Sequence, residues 1–193
     1  DTMGTTPDIA LIDQIVRQRL DEILPQKIEE KLAQIKAAKT PSMTIIATKG
    51  TLDWAYPPFI LSSTAATMGW EVQVFFTFYG LQLLRKDLSG IAISPIGNPA
   101  MPMPVPMPVV VSMLPGMEAM ATSMMKAKMK KKGVASLEEL RSVCLESDVK
   151  FIACQMTVDL FDFQKSDFID GIEYGGAATF MGFAGDTDVC LFI

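Results

Sequence analysis

Three cysteines and no histidine set the chemistry open to this sequence of 193 residues. Without imidazole there is no Ser-His-Asp or Cys-His nucleophile activation, no histidine proton shuttle and no histidine-containing zinc site. Cys144, Cys154 and Cys190 are too scattered for a Cys-x-x-Cys redox pair, a four-cysteine metal site or a disulfide framework. What remains is the chemistry of one thiolate, and Cys154 is the candidate. It ends the apolar run Phe151-Ile152-Ala153, and Thr157 stands three residues on as the N-cap expected before Val158-Asp159-Leu160-Phe161. This puts the sulfur at the carboxyl end of a strand beside a helix N-terminus, where N–H groups and the helix dipole favour thiolate over thiol. That edge is also where parallel α/β sheets bind ligands. Cys144, in register with Leu137 and Leu140, and Cys190, within Val189-Cys190-Leu191-Phe192-Ile193, read as shielded core. Cys154 is expected to be partly exposed and to be the one reactive thiol.

The elements that would position this thiol follow from hydrophobic period and punctuation. Met43 to Thr48 reads as a buried strand, and a helix from about Asp53 to Met68 ends at Gly69. Glu71 to Phe78 reads as a second strand, Leu81 to Lys86 as a short helix and Ile91 to Ser94 as a third strand. Ser136 with Glu139 forms a capping box for a helix over Leu137 to Glu146. Val149 to Ala153 and Asp188 to Ile193 complete the strands. Strands alternating with helices predict an α/β domain with a parallel sheet covered on both faces. Upstream, Ile9 to Ala38 is helical in pattern, with Pro25 expected to separate two helices. The chain thus divides into a helical extension, residues 1–40, and an α/β domain, residues 41–193.

Two stretches are unusual. Asn98 to Pro115 carries six prolines among methionines and valines, which excludes helix and central strand and predicts an extended loop. Met117 to Lys132 is a helix rich in methionine and lysine. Its methionines are expected to pack and its lysines to stay solvated, so that membrane contact is limited to weak peripheral binding. The net charge of −5 argues against a surface that tracks a phosphate backbone, so no nucleic acid partner is expected. No signal-peptide pattern precedes the first helix, and with so few cysteines the expected setting is the cytoplasm.

The segment from Phe151 to Thr157, together with Phe168-Ile169-Asp170-Gly171-Ile172-Glu173-Tyr174-Gly175-Gly176, resembles the DsrE/DsrF family of sulfur-relay proteins. Gly97-Asn98-Pro99-Ala100-Met101-Pro102, and Leu114-Pro115-Gly116-Met117 with the lysines after it, resemble the longer, DsrE-like branch. The resemblance runs from about Pro41 to Ile193. It implies a flavodoxin-like three-layer domain, a homo-oligomer, and a cysteine matching Cys154 that accepts sulfur as a persulfide from a TusA-like or rhodanese-like partner. No cofactor is expected.

A thiolate at Cys154 would take the outer sulfur of a donor persulfide and yield it to an acceptor thiolate, with no need of histidine. The amides of Gln155, Met156 and Thr157 are the expected stabilisers of the anionic sulfur, and Gly175-Gly176 is expected to open a neighbouring helix that approaches it closely. Two other readings stay open. Thr48-Lys49-Gly50-Thr51 is a strand-to-helix turn of the kind that cradles phosphate in flavin- or nucleotide-binding proteins, though without a full glycine fingerprint. A non-catalytic oligomeric interaction module, with Cys154 incidental, is the other.

Overall fold

The structure is a computed structural model, and it describes residues 8–94 and 114–193. The chain folds as two units, Asp1–Thr40 and Pro41–Ile193, each taken by itself here. In the first, one unbroken helix, α1, runs Ile9–Ala38 and is capped by the Asp8 side chain, which accepts from the Ala10 N–H. Pro25 lies inside it and does not divide it. The ring removes one backbone hydrogen bond, but α1 is exposed throughout, so water can take the freed carbonyl and the strong helix formers on either side carry the helix through.

In the second unit, strands β1 (Ser42–Ala47), β2 (Glu71–Phe76), β3 (Lys150–Cys154), β4 (Glu173–Gly175) and β5 (Val189–Phe192) form one sheet in the order β4-β3-β2-β1-β5. Every pairing is parallel. Between the strands come α2 (Leu52–Thr67), a 3₁₀ helix (Phe78–Leu84), α3 (Met117–Lys131), α4 (Leu137–Glu146), α5 (Gln155–Leu160) and α6 (Ala177–Ala184). The chain steps steadily from β1 to β4, then returns through α6 to place β5 beside β1. Side chains alternate across the sheet, as a strand's period of two requires. Met43, Ile45, Val72, Val74, Phe76 and Phe151 pack with Phe59 and Leu137 in the larger core, the side of α2 and α4. Phe75, Ile152 and Cys154 point the other way, against Phe180 of α6. The result is the α/β arrangement with a parallel sheet that the alternation predicts, in the three-layer, flavodoxin-like form that the resemblance implies.

Other expectations meet corrections. Ile91–Ser94 is not a strand, because its backbone is committed to neighbouring side chains and a helix start. Ala92 accepts from the Leu52 N–H, Ile93 donates to Thr122 Oγ1 and Ser94 donates to Asp53 Oδ1. The short helix expected at Leu81 begins at Phe78 and has the tighter 3₁₀ geometry. The Ser136–Glu139 capping box is present as expected. In α3, Met125 packs on the core while Met120 and Met124 are exposed with the lysines. Most of the proline-rich stretch lies outside the described residues.

Candidate functional site

The carboxyl edge of the sheet is drawn together around β1, β2 and β3. Gly80 donates to the Thr48 carbonyl, and its α-carbon sits so close to Ala47 that a Cβ there would collide with the Ala47 carbonyl oxygen. Gly50 is tied in the same way against the Tyr79 carbonyl. Between β2 and the 3₁₀ helix the backbone turns at Phe78, a non-glycine residue at φ 47°, a conformation that costs free energy unless its surroundings hold it. Here the Phe78 N–H donates to Thr157 Oγ1 at 3.3 Å.

Thr157 is not the N-cap. Cys154 itself takes that position, α5 starts at Gln155, and Thr157 lies fully buried in its first turn. Its hydroxyl is 3.1 Å from that of Thr77. The sequence pattern missed Thr77, whose only signal is a hydroxyl following an apolar strand. Burial pushes the Cys154 thiol up, yet it is outweighed. Hydrogen bonding from the Thr77–Thr157 hydroxyl pair, which keeps one of its two protons between the two oxygens, and from the Thr157 and Met156 N–H groups holds the thiol below its ordinary range. When Thr77 donates to Thr157, the Phe78 N–H and the Thr77 hydroxyl fill the two lone pairs of Thr157 and its own proton points at sulfur. Of the main-chain amides expected around the anion, those of Met156 and Thr157 are in place and that of Gln155 is not among them; the Gln155 side chain donates to Asp159 Oδ1.

Gly175 is paired directly with Cys154 across the β3–β4 ladder, and Gly176 is the N-cap of α6. The structure therefore brings together all six residues singled out in the sequence and sets two helix starts beside the thiol. A Cβ on Gly175 would lie 2.7 Å from Thr179 Oγ1, so glycine permits this approach of α6. Cys154 is 5% exposed, more enclosed than expected, because Phe75, Ile152 and Phe180 pack around it. Its rim is apolar and open: Phe78, Tyr79, Met156 and Leu160 are exposed, and Tyr79 stacks on Phe161.

The other two thiols differ. Cys144 is fully buried, donates to the Phe59 carbonyl, and is pushed by burial up to about 12. Cys190 is exposed, contrary to expectation. Strand β5 is an edge strand whose outward positions, Cys190 and Phe192, α6 leaves uncovered. The turn at Thr48–Thr51 makes a poor phosphate cradle, since the Leu52 N–H is already paired and the Asp53 carboxylate stands in the first turn of α2.

Fold and site together define a parallel three-layer α/β protein with a hydrogen-bonded thiol, held below its ordinary range, at the sheet's carboxyl edge. The chain belongs to the DsrE/DsrF/DrsH-like family, whose model matches residues 39–192. It is 65% identical to the "Sulfur carrier protein DsrE2" of Allochromatium vinosum over 78% of this chain and 97% of that protein. It is also 32% identical to the "Uncharacterized protein YrkE" of Bacillus subtilis, over 80% of this chain and 98% of that one. Among solved structures, the ychN protein of E. coli overlays 80% of this chain and all of its own length, with a TM-score of 0.47 at 10% identity.

Proposed function

We propose that this protein is a sulfur carrier that holds sulfane sulfur as a persulfide on Cys154 and exchanges it with a partner thiol. The observation that carries the reading is the convergence of hydroxyl and amide donors on an otherwise buried sulfur, which favours the nucleophilic thiolate. The 65% identical relative named as a sulfur carrier supports the same chemistry. In the first exchange the Cys154 thiolate attacks the outer sulfur of a donor persulfide; the new S–S bond forms on Cys154 as the donor's inner sulfur leaves as a thiolate. In the second, an acceptor thiolate attacks that outer sulfur and Cys154 leaves as the thiolate. No net oxidant is consumed, and the donors that stabilise the anion serve it both as nucleophile and as leaving group.

The exposed apolar rim of Phe78, Tyr79, Met156 and Leu160 suits docking of a TusA-like or rhodanese-like carrier whose own thiol must reach an enclosed sulfur. The uncovered Phe192, 73% exposed on the sheet face, favours assembly into a homo-oligomer. Among the described residues no helix is long and apolar enough to cross a membrane. The test is intact-mass spectrometry after incubation with polysulfide, thiosulfate or a persulfidated carrier protein. The expected result is one added sulfur on the protein, none on Cys154→Ser, and unchanged loading of Cys144→Ala and Cys190→Ala. A Cys154→Ser protein that still gains sulfur would refute the proposal.

A further inference from the structure

Helix α1 has eleven large apolar side chains, all exposed, and taken by itself it buries none of them. They do not lie on one fixed face. From Ile9 the line Ile12, Val16, Leu20, Leu24, Ile28 and onward to Ile35 advances in steps of three or four residues. Its mean period of about 3.7 exceeds the 3.6 of the helix, so the stripe winds slowly around the axis. A flat lipid surface is matched by a stripe that stays on one side, as an interfacial helix requires. A winding stripe is matched by a second helix that winds with it.

The charges say which helix and in which direction. From Asp8 to Ile23 there are four acids and two bases; from Leu24 to Lys39 there are four bases and two acids. Two copies side by side in parallel would set acidic half against acidic half and basic half against basic half. Antiparallel copies, related by a two-fold axis near Ile23 and Leu24, set each half against its opposite. That register brings Ile12 against Ile35, Val16 against Leu32 and Leu20 against Ile28. On its flanks it brings Asp13 near Lys36, Arg17 near Glu30 and Glu22 near Lys27, each of opposite sign.

We infer that α1 is a self-association surface, pairing antiparallel with α1 of a second copy. This goes beyond the assembly proposed above by naming the surface and its direction, and it is independent of the sulfur chemistry. Because the axis passes near Leu24, the two Leu24 side chains meet, whereas the two Ile12 side chains lie roughly 35 Å apart at 1.5 Å rise per residue.

The experiment is disulfide cross-linking of the full chain under mild oxidation, in a Cys190→Ser background that removes the exposed native thiol. Leu24→Cys is expected to cross-link to itself. Ile12→Cys and Ile35→Cys are each expected to stay monomeric on a denaturing gel, and their mixture to cross-link about tenfold faster than either alone through the effective concentration of the paired helices. Arg17→Glu should slow cross-linking of Leu24→Cys, and adding Glu30→Arg should restore it. Self-cross-linking of Ile12→Cys as fast as the mixture would mean a parallel pair and overturn the inference. So would absence of cross-links in both Leu24→Cys and the mixture, including the case in which α1 binds vesicles instead. No sulfur donor is present, so these outcomes leave the carrier reading untouched.

Discussion

Replacing Thr157 by valine tests the proposed activation of Cys154. The side chain is fully buried and valine matches its shape, so packing is nearly conserved while the hydroxyl is lost. Two consequences follow from the geometry. The thiolate loses one donor, and a hydrogen bond to a charged group contributes about 1.5–3 kcal/mol, so the thiol is pushed upward. The Phe78 N–H loses its acceptor at a residue held at φ 47°, costing about 1–3 kcal/mol of stability. The assay is the pH dependence of Cys154 alkylation by a small haloacetamide, resolved from Cys190 by peptide mass spectrometry. In the unaltered protein the rate should rise with pH to a plateau, with an inflection below that of an ordinary thiol. In Thr157→Val the inflection should move upward while the melting temperature falls. The amides of Met156 and Thr157 remain, so the shift should be incomplete. An inflection that stays put or moves down would show that the hydroxyls do not hold the thiolate, and the argument for Cys154 would fail with it.

Cys144→Ala should cost about 1–2 kcal/mol through lost packing. The native thiol ionises at about 12 against an ordinary 9.0, so the unfolded chain loses this proton first. Between those values the cysteine protein should therefore lose stability with rising pH, by up to about 1.4 kcal/mol per unit, a slope that Cys144→Ala should lack in denaturant titrations at successive pH. Gly175→Ala should push the start of α6 away from the sulfur, lowering stability by about 1–3 kcal/mol and slowing sulfur loading; an unchanged melting temperature would refute the close approach.

The local devices were legible wherever a short pattern was sufficient cause. The Ser136–Glu139 capping box, the glycine stop after α2 and the alternation of strands with helices are written within a few residues each, and the structure contains them. Cys154 could be singled out because an apolar run ending just before a helix start is itself a local signal. Where the pattern went astray, a distant group had decided the matter. Ile91–Ser94 has the composition of a strand, yet Thr122 and Asp53, far along the chain, take its backbone donors. Cys190 alternates like a core strand residue, but its strand closes an edge of the sheet where, among the described residues, no helix covers its outer face.

The sequence by itself narrowed the candidate chemistry: with no imidazole present and three separated thiols, it pointed to the cysteine that ends an apolar strand. It also determined the sheet's parallel character, since the order of strands and helices leaves little else. Only the tertiary structure decided that the thiolate is favoured. That preference comes from Thr77 and Thr157, eighty positions apart, together with the N–H groups of Met156 and Thr157. Hydrogen bonds to a sulfur depend on distances of a few ångströms between elements. No spacing along the chain encodes them until the sheet has brought those elements to one edge.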